Sequence, residues 1–184
     1  MVQQASWGRW GEERAVLDEA LGRAEVALAL ATRIVDGRVG PLARTLGLAL
    51  RSGALDRHLD HIAAAARQPA VRALALDALI HRRARWPSGQ RWDRIEKPNG
   101  RGRSVTTFDE RPIEGADAAQ VLIARGVADP SPVVRRVALA GVIKHLSDTT
   151  AGRAFATELL GDRSRGVAER AAFILRLRTP QDRP

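Results

Sequence analysis

The chain contains no cysteine and no tyrosine in 184 residues, and only two lysines, Lys97 and Lys144. Without cysteine there are no disulfides, no thiolate nucleophile and no Cys-ligated zinc. No apolar run approaches the ~18–20 residues that a membrane-spanning helix needs. The start, MVQQASWGRWGEER, lacks the charged segment followed by an apolar core of a secretory signal, so a cytoplasmic protein without membrane attachment is expected. Phosphate-loop, dinucleotide and nucleophile-elbow glycine patterns are missing as well. The expectation is a non-catalytic protein with no catalytic residue, no metal and no cofactor.

Present in excess is arginine, 28 residues, and the net charge is +9. Such a preference over lysine reflects a GC-rich coding sequence as much as a function. Hydrophobic residues make up 45% of the chain, enough for one core, and the length suits a single domain over residues 1–184.

Helical patterning organises the sequence around Asp129 to Leu146, DPSPVVRRVALAGVIKHL. Asp129-Pro130 makes a turn, Ser131 can cap a helix, and Pro132 fits the first helical position, where its missing N–H costs nothing. Val134, Ala138, Val142 and Leu146 then recur every four residues. The pattern Val-x-x-x-Ala returns at Val71–Ala75 and Val167–Ala171, 63 residues before and 33 residues after Val134. A weaker copy starts at Leu42. Apolar segments at Leu55–Ala65, Ala116–Val127 and Thr150–Leu160 each precede one of these helices across a turn, so the unit is helix, turn, helix. Spacings of ~20–50 residues mark repeat architectures. Trp7 and Trp10 are expected to cover the open end of the first unit, with a partner-binding pair as the alternative.

DPSPVVRRVALAGVIKHL, QPAVRALALDALI from Gln68 and DRSRGVAERAAFILRL from Asp162 resemble HEAT repeats, including the bacterial phycobilisome-lyase type. The resemblance covers roughly residues 25–80 and 115–178. In that family the turn carries an Asp and the second helix opens with Val-Arg. Asp129 and Asp162 match the Asp and Gln68 does not; Arg72 and Arg135 match the Arg, while Ala168 replaces it. The implied fold is all-α: an α-α superhelix of roughly four helical pairs, carrying one inserted β-hairpin or long ordered loop. Among HEAT-like proteins, the bacterial alkylpurine DNA glycosylases use a basic concave face with aromatic residues and an Asp. Trp86, Trp92 and Asp93 are residues of those types here, although no motif aligns.

The insertion is Arg85 to Ile113, RWPSGQRWDRIEKPNGRGRSVTTFDERPI. Its prolines and glycines break any long helix. Trp92–Lys97 and Arg103–Phe108 are β-capable runs, and Pro98-Asn99-Gly100-Arg101-Gly102 between them is hairpin-turn chemistry. Residues 81–113 hold eight Arg and one Lys against four acidic residues, over half of the net charge of +9. Arg82, Arg83, Arg85, Arg91, Arg94, Lys97, Arg101 and Arg103 therefore form one basic cluster around Trp86 and Trp92. Arginine with interleaved aromatics suits an acidic protein surface and also phosphate with stacked bases. The expected function is a protein-binding adaptor that docks through these residues. Nucleic-acid binding, with glycosylase-like chemistry as its extreme form, and an accessory subunit of an enzyme complex are the alternatives. His58 and His61, one turn apart, lack a third ligand pattern and read as a solvated helix face. His81 and His145 read as lone histidines at helix ends, favoured by the dipole.

Overall fold

Proline, serine and threonine at the turns decide where the helices start. In the computed structural model, which describes residues 16, 19–37, 49–94 and 102–177, α1 spans Ala24–Val35, a 3-10 turn covers Asp56–His58, and α2 spans Leu59–Ala65. Next come α3 (Pro69–Ile80), β1 (Arg83–Arg94), β2 (Gly102–Pro112), α4 (Ala119–Val127), α5 (Pro132–His145), α6 (Thr150–Glu158) and α7 (Arg165–Arg176). Pro69 and Pro132 open α3 and α5. The Ser131 hydroxyl accepts from the Val133 N–H, and the Thr149 hydroxyl accepts from the Gly152 N–H at 3.0 Å. Each such cap is worth about 1 kcal/mol.

Helix α2 packs on α3, α4 on α5 and α6 on α7, and α3, α5 and α7 pack one on the next. Val71, Val134 and Val167 are all buried, as are Leu76, Leu139 and Ile174 further along the same helices. A Cβ on Gly126 would lie 2.6 Å from Leu76 Cδ2 and 2.8 Å from Ala138 Cβ, so glycine there lets α4 press against both α3 and α5.

Arginine ties the turns together. Arg72 grips Asp129 with two donors at 2.8 and 2.9 Å and donates to the Ala66 carbonyl at 2.7 Å. Arg135 repeats this on Asp162 at 2.7 and 3.0 Å and donates to the Asp129 carbonyl at 2.8 Å. Each Asp also accepts the N–H two residues on, Ser131 or Ser164, at 2.7 Å. Every Arg reaches forward to the next turn. Ala168 stands at the corresponding position of α7, without such a side chain.

The expected fold class needs correction. The chain is mostly helical, but it is not all-α: β1 and β2 form a two-stranded antiparallel sheet from Arg83 to Pro112. Nor is the expected α-α superhelix of roughly four helical pairs shown. The described residues contain three pairs, and the weaker copy at Leu42 lies outside them, as do Trp7, Trp10 and the turn Pro98–Arg101. The β character has a local cause. Val105, Thr106 and Thr107 are β-branched, Phe108 is aromatic, and Pro87 with Gly89 denies helix to the facing strand. The strands also outrun the two β-capable stretches of the sequence, because the ladder continues down to Ala84 and Arg111, where it enters the core. Among the described residues no helix is long and apolar enough to cross a membrane.

Candidate interaction surface on the hairpin

The hairpin leaves the helical body at Arg82, whose φ of 50° turns the chain sharply out of α3. The Arg82 carbonyl accepts from the Ile113 N–H at 2.9 Å and closes the base. Ala84 and Ile113 are buried there. Arg111 provides the main anchor. Its guanidinium holds Asp56 with two donors at 2.7 and 2.6 Å, and donates to the Leu50 carbonyl at 2.7 Å and to the Pro112 carbonyl at 2.9 Å. It thereby satisfies a carbonyl at the end of the helical turn over residues 49–52, which needs a partner in any case.

Strand pairing assigns the side chains to two faces. Ala84 faces Arg111 and Trp86 faces Asp109 across the ladder; past a bulge at Ser88, Gly89, Arg91 and Asp93 face Thr107, Val105 and Arg103. This is the inner face. Trp86 is half-buried against the helical core, with its indole N–H enclosed and without a hydrogen-bond partner among the described residues. The outer face pairs Arg85 with Glu110, Pro87 with Phe108, Gln90 with Thr106 and Trp92 with Ser104. Here the aromatics are open: Trp92 is 71% exposed and Phe108 45%. The Arg85 guanidinium sits 4.1 Å from the Phe108 ring centre, a cation–π contact. A Cβ on Gly102 would collide with the Trp92 indole, so this glycine is what allows Trp92 to lie across β2.

The ten candidate binding residues are thus distributed. Trp92, Arg83 and Arg85 occupy the outer face, with Arg83 on Glu110 at 2.9 Å. Trp86, Arg91 and Arg103 belong to the inner face; Arg91 lies 3.4 Å from Asp93, and Arg103 is exposed with no ion pair among the described residues. Arg82 sits at the hinge and donates to the Ala116 carbonyl at 3.4 Å. Arg94 ends β1 opposite Gly102. Lys97 and Arg101 lie outside the described residues. The two tryptophans point to opposite faces, and Asp93 shares the face of Trp86, so Trp86 and Trp92 do not form one stacking platform.

Sequence reasoning missed Phe108 and Arg111 as key positions. Arg111 carries no signal distinguishing it from its neighbours, whereas Phe108 is marked by being the one aromatic in β2. It also missed a histidine contact. His81, just past α3, places Nδ1 3.0 Å from Nε2 of His145 at the end of α5, with ring centres 5.2 Å apart. Burial lowers both pKa values, and Lys144 adds to the effect on each. The helix dipole, expected to favour the charged form, is outweighed. His58 is likewise lowered, by burial and then by Arg57 and His61, and its Nε2 is enclosed without a hydrogen-bond partner among the described residues. Among the described residues no three metal-capable side chains converge.

An open groove of about 720 Å³ runs beside the hairpin base, lined by Asp56, Asp60, Leu79, Arg111, Pro112 and Asp117 among others. Three of its four carboxylates are already engaged: Arg111 holds Asp56, and Arg125 holds Asp60 at 2.6 Å and reaches Asp117 at 3.8 Å, while Glu114 has no ion pair among the described residues. Comparison with protein-family models, with curated proteins and with solved structures finds no match.

Proposed function

We propose that this chain is a non-catalytic binding module, in which the helical body holds out a rigid arginine-rich hairpin that docks on an acidic surface of another protein. The observation that carries this reading is the outer face of the hairpin. Trp92 and Phe108 stand exposed there, with Arg85 stacked on one of them, and neither ring packs into the core. Large aromatics beside arginine are the commonest anchors of protein interfaces, and exposed positive charge steers an acidic partner toward them. The resemblance of the turns to HEAT-like repeats is kept as a proposal of kinship, supported by the Arg72–Asp129 and Arg135–Asp162 contacts.

The competing reading is nucleic-acid binding, favoured by the net charge of +9 and by a two-stranded ribbon of a width that a major groove admits. An accessory role within an enzyme complex is a special case of the protein-binding reading. Co-purification of the tagged chain from its native host, beside the Trp92→Ala variant, tests the proposal. The expected outcome is a protein retained by the parent chain and lost with Trp92→Ala while the melting temperature stays put. Retention of DNA or RNA instead, weakening about a thousandfold or more between low and moderate salt, would replace the protein reading with the nucleic-acid one.

A further inference from the structure

The two edges of the hairpin are not alike. Along β1 the edge is blunted by Pro87, which has no N–H, and by the bulge at Ser88 next to Gly89. Along β2 the ladder runs unbroken from Gly102 to Pro112, and Ser104 to Phe108 contains no charge, proline or glycine. In a two-stranded antiparallel sheet, alternate residues of each strand turn their N–H and C=O away from the partner strand. Among the described residues nothing else bonds the backbone of Arg103–Glu110. Among the described residues the edge is therefore regular, β-prone and open.

We propose that a second copy of this chain covers it, β2 against β2, antiparallel and centred on Thr106, giving a four-stranded sheet across a two-fold axis. Charge register favours this pairing. With Thr106 opposite itself, Val105 faces Thr107, Ser104 faces Phe108, and Arg103 faces Asp109 of the other copy, twice. Arg103 and Asp109 are both exposed, both on the inner face, and neither has an ion pair among the described residues. Opposite charges placed directly across a strand pair stabilise it, and like charges destabilise it. The antiparallel arrangement sends the two helical bodies to opposite ends of the sheet. It also closes: the strands left outermost are the two β1 strands, whose proline and bulge stop further addition. On the outer face, Trp92 of each copy falls in line with Phe108 of the other across Ser104, giving two aromatic rows, one on each side of Thr106. The dimer is independent of the docking reading, since it uses the edge and leaves that face open.

Sedimentation of the full chain over micromolar to submillimolar concentration, with hydrogen exchange at the same concentrations, tests this. The expected result is a monomer–dimer equilibrium in which amides within 104–108 gain protection as dimer forms. Arg103→Asp should weaken the dimer about tenfold or more, as should Thr106→Lys, which sets two cations face to face. The double variant Arg103→Asp, Asp109→Arg should restore it, because the pair is exchanged with its register intact. A chain that stays monomeric throughout, a dimer with no protection at 104–108, or a double variant no better than Arg103→Asp would each overturn the proposal. None of the three substituted residues packs in the core, so folding is checked by an unchanged helical circular dichroism signal.

Discussion

Arginine is used in opposite ways in the helical body and in the hairpin. In the body, Arg72 and Arg135 lie flat in the turns, their side chains 12% and 14% exposed, and each binds both oxygens of one Asp. In the hairpin, Arg91 is 68% exposed and its contact with Asp93 is 3.4 Å with a single donor. The first kind is structural, since a fork of fixed donors matched to a carboxylate holds two turns at one separation. The second kind is a solvated charge that contributes little to stability and is free to meet something else. Arg111 combines the two, because it belongs to the hairpin by sequence and to the body by its contacts.

The largest effect follows from breaking a body pair. Asp162→Ala leaves the Arg135 guanidinium largely buried without its carboxylate and also removes the acceptor for the Ser164 N–H. A loss of about 3 kcal/mol is expected in urea unfolding, against less than about 0.5 kcal/mol for Arg91→Ala. Similar losses for the two would erase the distinction.

Arg111→Ala should cost less, about 2 kcal/mol, because its side chain and that of Asp56 are each about a quarter exposed. The consequence should be local. Amide exchange should quicken through β1, β2 and the turn at residues 49–52, while α5 and α7 keep their protection. Exchange that quickens evenly over the chain would mean that the hairpin and body unfold as one unit and that Arg111 is not a local anchor of the hairpin.

How much of this was legible in the sequence follows from the same contrast. The body helices could be read because Val71, Val134 and Val167 repeat one pattern, and a repeated pattern needs only local information. The Arg72 and Arg135 partners were half legible: the residue types were in view, but that each Arg binds the Asp of the following turn depends on packing. The hairpin was read too short, since Arg83-Ala84-Arg85 has no β signature of its own and becomes strand only because Ala84 is buried and Arg111 is anchored. The faces of Trp86 and Trp92 could not be derived at all. Six residues apart, they would share a face on an uninterrupted strand, and the bulge at Ser88 reverses the phase between them. The His81–His145 contact was hidden for a similar reason. The 63-residue offset between Val71 and Val134 aligns His81 with Lys144 rather than with His145.

That contact gives the smallest effect and separates two kinds of acid sensitivity in the body. His81 and His145 have folded pKa values below the ordinary 6.5: at His81 burial leads and outweighs the opposing pull of Asp77, with Lys144, His145 and Arg83 lowering it further, and at His145 burial leads and Lys144 adds to it. The unfolded chain then binds protons first, so the stability tied to these rings is complete above 6.5 and drains away as pH falls through 6.5 toward the folded values. Asp129 and Asp162 are also lowered, from 3.8. Burial opposes the shift at Asp129, where the Arg72 hydrogen bond and the Ser131 N–H overcome it; at Asp162 the Arg135 hydrogen bond leads. Their stability is present above 3.8 and is lost only as pH falls below it. Melting temperature against pH should therefore decline in two steps, a shallow one beginning just under neutrality and a steeper one below about pH 4. The double variant His81→Asn, His145→Gln should flatten the first step and leave the second in place. If the shallow step persists in that variant, the titrating group is elsewhere, with His58 the next ring to replace, since burial lowers it too.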